Sequence, residues 1–406
     1  MYSGYLKYDG HEIMNAARAK AYLGIYAPDL TVKVETGKLR EDLGHGPYDG
    51  VLSDPAPWHD DHISYSDHFW GLMPLTVEGS EDSTRTMDVT ELSGDGAIVS
   101  KPRYGSREIR VTALACAKDE AGLRYGLSWL RDVLAADCEA DDCEGVEAIM
   151  FASVPTDGNP ETGRRYFYGV EVLEAPKVTK AWPFTKMEAV TVEFTLIATV
   201  PWSFTDTVRV VDGMLLGEAG FYDAYTQPAD ENCSEQNKAY REFINDPYFT
   251  GISQPPRPPV VKPPNLIDVP VWQRHIWTIP SQYSDRWGRV VPTLYVDTGT
   301  NDLQMMRVRF YKVGSGNDGG GCGYEGEFVI SYIPKNSVLT IDGIHREAHV
   351  KLPSGNIVPG GHLLFGSDGR PFTWPTLGCH DAYWVACDLM PGNSGVKTSL
   401  DINIRE

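Results

Sequence analysis

The sequence predicts a mainly β fold with one principal helix: a β-sandwich-plus-helix domain followed by a second β-sandwich. Three observations carry that reading. The chain holds 40 Gly, 28 Pro, 21 Tyr and 10 Trp, the mixture expected of many short strands joined by turns. Strict alternation of apolar and polar residues recurs along its length, most cleanly in EAVTVEFTLIATV at 188–200. Only one stretch, residues 104–136, reads as a strand running into an amphipathic helix.

At 406 residues the chain exceeds one ordinary core and predicts two domains. We place the first at 1–205, a connector at 206–270 and the second at 271–406. The formal net charge of -20 excludes binding nucleic acid by neutralising phosphates, although an acidic lining would let a duplex pass without sticking. No run of eighteen uncharged apolar residues predicts a membrane span. The N-terminus lacks the basic start and apolar centre of a signal peptide, so folding in a cytoplasm is expected. Seven cysteines scattered over the chain make no disulfide framework.

Residues 1–40 hold alternating pieces: Tyr2, Gly4, Leu6 and Tyr8, a turn at Asp9–Gly10, His11 to Ile13, and TVKVE from Thr31. They predict edge or hairpin strands. Residues 44–74 are irregular and rich in Gly, Pro, Asp and His, which predicts a long surface loop of the kind that serves function or a partner. The strand from Ser106 sets Ile109, Val111, Ala113 and Ala115 on one face. Asp119 caps the following helix, whose stripe is Leu123, Leu127, Leu130 and Leu134, widened by Trp129 and Val133. Gly122 and Gly126 weaken that helix by about 1 kcal/mol each relative to Ala, which points to another backbone approaching closely or to plain irregularity. Residues 166–176 read as a strand ending at Pro176, and the 188–200 strand ends at Pro201–Trp202. The proline-dense 254–270 reads as an extended connector. Beyond it HIWTIP, TLYVDT, MMRVRFYKV, FVISYIP, SVLTIDGI, EAHVKL and SLDINIRE follow as strands with no helical pattern between them, which predicts a sandwich.

Four segments in this order, 105–119 (GSREIRVTALACAKD), 121–134 (AGLRYGLSWLRDVL), 165–176 (RYFYGVEVLEAP) and 187–204 (MEAVTVEFTLIATVPWSF), resemble siphophage distal tail proteins and the minor tail proteins of actinobacterial phages. Residues 337–350 (SVLTIDGIHREAHV) and 372–396 (FTWPTLGCHDAYWVACDLMPGNSGV) resemble that family's second domain. The resemblance implies a ring-forming first domain in six copies, a galectin-like second domain outside the ring, and a place in the virion at the tail tip. The implied partners are the tail tube protein, the tape measure protein and the tail hub or other minor tail proteins, with no membrane anchor and no specific nucleic-acid binding. A host surface glycan is the partner in the alternative reading, a carbohydrate-binding adsorption protein. The 44–74 loop and the 206–250 segment have no counterpart in the family pattern.

Chemistry is sparse. His59, His62 and His68 lie among Asp54, Asp60, Asp61 and Asp67, a set that fits either a divalent metal site or a polar loop. No HExxH motif accompanies it. Cys138 with Cys143, and Cys379 with Cys387, are close enough in sequence to pair or to remain free thiols. The glycine-dense 314–326 lacks the ending of a phosphate loop and reads as a hairpin. A galectin-like fold directs attention to Trp374, Tyr383 and Trp384 as sugar-stacking candidates, equally explained as core aromatics. No nucleophile motif or paired carboxylates point to catalysis, and neither a cofactor nor a resident metal is expected.

Overall fold

In the computed structural model the described residues are 2–29, 39–52, 56–82, 84–135, 146–152, 164–216, 222–223, 273–281, 288–313, 324–366, 371–389, 393 and 395–405. They fall into two compact units, Met1–Asp206 and Thr207–Glu406. Both are predominantly β. The TVKVE piece, the 254–270 segment, Cys138, Cys143 and most of the glycine-dense 314–326 lie outside the described residues.

The first unit begins with a hairpin, β1 (Tyr2–Tyr8) and β2 (His11–Asn15), turned at Asp9 and Gly10, both with positive φ. The next element adds to the sequence reading. Ala16–Tyr26, which the alternating pieces leave unassigned, is a helix, α1. Alanines at half its first turns favour helix intrinsically, and Asn15 caps it by accepting from the N–H groups of Ala17 and Arg18, both at 3.1 Å. Its buried face is Ala16, Arg18, Ala19, Tyr22 and Leu23, too rich in small and polar residues to show an apolar stripe in the sequence. Arg18 is buried because its Nε donates to Glu12 at 2.9 Å. A single short turn of helix, α2 (Leu39–Asp42), follows.

The 44–74 stretch departs from expectation. Several of its aromatic and apolar residues are not on the surface: Tyr48, Val51, Ala56 and Trp58 belong to the core, whereas Leu52, Ile63 and Tyr65 are exposed. Phe69–Glu78 is a strand, β3, whose first residues are buried on both faces and so do not alternate. After it come four short strands, β4 (Arg85–Thr86), β5 (Val89–Glu91), β6 (Ala97–Val99) and β7 (Arg103–Tyr104), paired as β4 with β7 and β5 with β6. Then β8 (Arg107–Ala117) leads through Asp119 into α3 (Glu120–Leu134). Ile109, Val111, Ala113 and Ala115 are buried as the alternation requires. Leu123, Leu130 and Leu134 are buried and Leu127 half-buried against the same core.

The unit's sheet is completed by β9 (Val146–Ala152), β10 (Arg164–Pro183) and β11 (Glu188–Ala198), in the order β2-β1-β9-β10-β11-β8-β3. Every pairing is antiparallel, and β11 runs unbroken along β8 from Ala198↔Arg107 to Glu188↔Ala117. β10 does not stop at Pro176. It continues to Pro183 with register shifts on both sides of Glu174, one of them spanning Pro176. On β10, among the described residues, β9 pairs only with Arg164 to Val170, so the proline sits where no second neighbour needs its missing N–H.

In the second unit, β12 (Val208–Leu216) lies inside the stretch expected as connector, yet it pairs with the strand farthest from it in sequence. After the two-residue β13 (Tyr222–Asp223) come β14 (Gln273–Ile279), β15 (Arg289–Asp297), β16 (Leu303–Lys312), β17 (Tyr324–Ile333), β18 (Val338–Asp342), β19 (Glu347–Lys351), β20 (Ile357–Pro359), β21 (Leu364–Phe365), β22 (Leu377–Gly378), β23 (Tyr383–Leu389) and β24 (Val396–Arg405). One sheet runs β12-β24-β15-β18-β19-β20, with β22 beside β15; the other runs β13-β14-β23-β16-β17-β21. Both line one core, Val296, Leu339, Leu400 and Ile402 from the first and Val308, Phe310, Phe328 and Val385 from the second, which makes the unit a β-sandwich. On β16 the alternation turns Arg307 and Arg309 away from that core. Arg307 is nevertheless buried, and its Nε donates to Asp388 at 3.0 Å.

Candidate functional site

The feature most exposed to use is the excursion between β3 and β8. Among the described residues its strands pair only with each other, Arg85↔Tyr104 and Thr86↔Arg103 near the base and Val89↔Val99, Thr90↔Ile98 and Glu91↔Ala97 farther out. The tip closes with the Leu92 N–H donating to the Gly96 carbonyl at 3.0 Å. This hairpin arm has no core of its own. Val89 is 60% and Ile98 61% exposed, and Met87, Leu92, Val99 and Tyr104 are exposed as well. Val89 and Val99 face one side and Ile98 the other, so both faces are apolar. A two-stranded hairpin without a packing surface is marginal in water, and the Asp88–Arg103 pair at 3.7 Å is too exposed to add much.

The root of the arm, by contrast, is fixed. Arg107, the first residue of β8, is buried; its Nε donates to the Pro201 carbonyl at 3.0 Å and its Nη1 to the Ser80 carbonyl. Its guanidinium also lies 5.8 Å from the centre of the Phe167 ring. Burial draws the Arg107 pKa down and the nearby Asp82 carboxylate opposes this, so the cation stays in place. Gly79 turns the chain out of β3 at φ +85°, where a Cβ would sit 2.0 Å from the Glu108 carbonyl oxygen. The rings of Tyr104 and Trp202 meet at 5.6 Å, and Tyr166 and Phe204 exchange backbone hydrogen bonds of 2.8 and 2.9 Å. The Pro201–Trp202 ending of the 188–200 strand is thus a brace for the arm. The sequence marks this excursion only by the Asp95–Gly96 turn between Val89 and Ile98–Val99, in segments too short to show a period.

The Asp/His loop folds across α3. His59 Nδ1 lies 3.0 Å from Ser66 Oγ and its Nε2 3.0 Å from Asp61 Oδ1, while Ser66 Oγ donates to the Asp60 carbonyl at 2.8 Å. The line-up of Ser66, His59 and Asp61 is inverted for nucleophilic catalysis: the serine is buried and its proton committed, and the Asp61 side chain is 92% exposed. His68 lies apart from this group, with Nδ1 2.8 Å from the Asp119 carboxylate at the start of α3. Among the described residues no three His, Cys, Asp or Glu side chains converge as metal donors. Asp54 lies outside the described residues.

The three aromatics suggested for sugar stacking are not brought onto one face. Tyr383 is buried, donates to Glu325 at 3.1 Å and accepts from the Gly378 N–H at 2.9 Å. Trp384 follows it in β23 and therefore faces the opposite side of the sheet. Trp374 packs on the core edge-to-face with Phe372 at 4.7 Å. Cys379 and Cys387 are buried and form no disulfide, nor does the buried Cys116; burial pushes the Cys387 pKa well above its ordinary value and Cys116 up to about 12, so neither of these two is poised for thiol chemistry. Among the described residues no helix is long and apolar enough to cross a membrane.

No protein-family model matches this sequence, and no curated protein matches it. Among solved structures the chain is similar to the crystal structure of the SPP1 Dit (gp 19.1) protein, described as a paradigm of the hub adsorption apparatus in phages that infect Gram-positive bacteria. The identity is 10%, the match covers 85% of this chain and 97% of that one, and the TM-score is 0.37. At that TM-score the likeness carries no argument.

Proposed function

We propose that this chain is a structural subunit of a phage tail tip, closing with further copies of itself, six in all, into a ring that joins the tail tube to the adsorption apparatus and leaves a central passage for DNA. One observation carries the reading: a hairpin arm with apolar residues on both faces, rigid at its root and without a surface of its own to pack on. Such an arm gains its stability from a neighbour, and one identical arm per subunit gives head-to-tail contacts that close into a ring. The order of segments shared with distal tail proteins supports the same assignment. The work of the first unit is then architectural rather than catalytic, with the surplus of negative charge keeping a passing duplex from adhering. The second unit, galectin-like in this reading, holds peripheral tail proteins or meets the host surface. Tail tube, tape measure and hub proteins are the expected neighbours.

The test is assembly. The purified chain should form a ring visible by negative-stain microscopy, and an antibody to it should mark the tail tip of virions. Val89→Asp with Ile98→Asp should leave the melting temperature of the subunit unchanged while shifting the mass distribution to monomer. A chain that stays monomeric at every concentration, in virions that carry no label at the tail tip, would overturn the reading. Rings unaffected by the double substitution would remove the arm from it.

A further inference from the structure

We propose, on the strength of the ring reading above, that the edge of β10 between Glu171 and Ala181 receives the arm of a second copy of this chain. β9 accompanies β10 only as far as Val170↔Val146. Beyond that point, among the described residues, β10 pairs with β11 alone. The stretch that β9 leaves behind is bare. From Glu171 to Ala181 every residue but Val172 and Pro176 is exposed. Val178 stands opposite the fully buried Val192, yet is itself 46% exposed, and Leu173 is 50% exposed. The apolar face of the sheet thus runs on past the point where its own subunit covers it. Backbone groups along such an edge, with apolar side chains beside them, are what an incoming strand pairs with.

The arm matches this edge in length, in charge and in its interruptions. A strand rises about 3.3 Å per residue, so the arm from Arg85 to Leu92 spans roughly 23 Å and the edge, at roughly 33 Å, is long enough to take it. Charge runs from acidic to basic along the edge, with Glu171 and Glu174 before Lys177 and Lys180. On the arm it runs from basic at the base, at Arg85, Lys101 and Arg103, to acidic near the tip, at Glu91 and Asp95. Laying the base beside Glu171 and the tip beside Lys180 sets each sign against its opposite. The pairs these groups make within one copy are weak competitors: Glu174 with Lys177 at 3.6 Å and Asp88 with Arg103 at 3.7 Å are exposed to water. Lys180 lies over the Trp182 ring at 3.6 Å, a contact that leaves its charge in place. Both partners are also broken strands. Register shifts between Val172 and Glu174, between Glu174 and Lys177 and between Val178 and Lys180 interrupt the edge. The arm pairs at Arg85–Thr86 and again at Val89–Glu91, with Met87 and Asp88 left out. A continuous foreign strand would meet lysines, bulges and a proline without an N–H, the devices that keep edges from pairing at random. An arm built in two short stretches passes over that gap.

Leu173→Asp with Val178→Asp should leave the subunit folded, with a melting temperature close to that of the parent, and shift the mass distribution from ring to monomer. The decisive experiment mixes this variant with the Val89→Asp and Ile98→Asp variant. The first keeps an intact arm and the second an intact edge, so a mixture of two monomers should yield heterodimers of one copy each and no ring. Contact is then read directly. Rings are assembled from ordinary copies carrying p-benzoylphenylalanine in place of Ile98, mixed with copies labelled with heavy nitrogen. Illumination should join position 98 of one copy to peptides from 171–181 of the other. Rings that persist in the Leu173 and Val178 variant, a mixture without heterodimers, or cross-links that map to another segment, to the same copy or, in virions, to a different tail protein would each overturn this docking site and leave the ring reading standing. A parent chain that forms no ring would remove both.

Discussion

The two glycines of α3 are explained by what they touch. A Cβ on Gly122 would stand 2.7 Å from the His68 backbone carbonyl carbon, and one on Gly126 would stand 2.2 Å from the Phe69 ring. The close approach inferred from the sequence is therefore real and lies within the same subunit, where the turn entering β3 crosses the helix. Gly126→Ala should destabilise by about 1–3 kcal/mol from overpacking, against a gain of about 1 kcal/mol in helix propensity, for a net loss in a denaturant melt. At the start of the same helix Asp119 accepts from the Gly122 N–H at 2.9 Å. That bond, ahead of the nearby His68, holds the Asp119 pKa below its ordinary 3.8, in spite of some desolvation. A depressed folded-state pKa stabilises the fold when the group is ionised in both states. Its contribution is full above the ordinary value and fades as the pH falls below 3.8 through the folded pKa. Asp119→Ala should accordingly cost about 0.5–2 kcal/mol at pH 7, and the gap from the parent protein should narrow when melts are repeated at pH 3. A gap independent of pH would show that the cap works through something other than its charge.

At the scale of elements, the arm and its root make opposite predictions. The strands beyond Thr86 are exposed on both faces, so within the first unit trypsin should cut the arm of a free subunit at Arg85 or Arg103, the Lys101–Pro102 bond being resistant, and spare the sheet. Assembly should protect those bonds, and time-resolved mass spectrometry of the digest would read both states. Arg107→Ala removes the link between Ser80 and Pro201 and should make the arm cleave faster even though Val89 and Ile98 are untouched. Unchanged cleavage would mean that Gly79 and the Tyr104–Trp202 contact hold the root by themselves. How far these elements could be read from residues follows their physics. β8, α3 and β11 were plain because each buries one regular face, at period two or at the helical period. Helix α1 was missed because alanine and a paired Arg18 bury a face without an apolar stripe. β3 was missed because a strand buried on both sides loses its alternation. The arm was missed for the converse reason: nothing in its own unit buries it, so no pattern marks it. Of the sugar-stacking candidates, Tyr383 is buried and Trp384 lies on the other side of the same strand, so alternation along β23 separates them.

At the scale of the molecule, the question is where the second unit begins. The sequence set its start at 271, after the prolines, yet β12 supplies the edge strand beside β24 from Val208↔Ile402 to Leu216↔Val396. Leu216 is fully buried and Val211 nearly so, both in the core of the sandwich. Arg209 donates through Nη2 to Asp401 at 2.9 Å, and the Asp401 side chain is buried. A fragment starting at 271 would open the edge of β24, leave Asp401 without Arg209 and uncover the Leu216 pocket. A Thr207–Glu406 fragment should therefore fold cooperatively, whereas 271–406 should lose about 3 kcal/mol or more, counting only the Leu216 and Val211 burial. The shorter fragment should also associate through its exposed strand edge. Thermal melts and sizing of the two fragments side by side decide it. Equal stability would place β12 outside the folding unit and return the boundary to the proline-rich segment. The outcome also governs how the second unit is assayed. A glycan or tail-protein screen run on 271–406 would be scoring a sandwich with an open edge, whose contacts reflect that edge rather than the native surface.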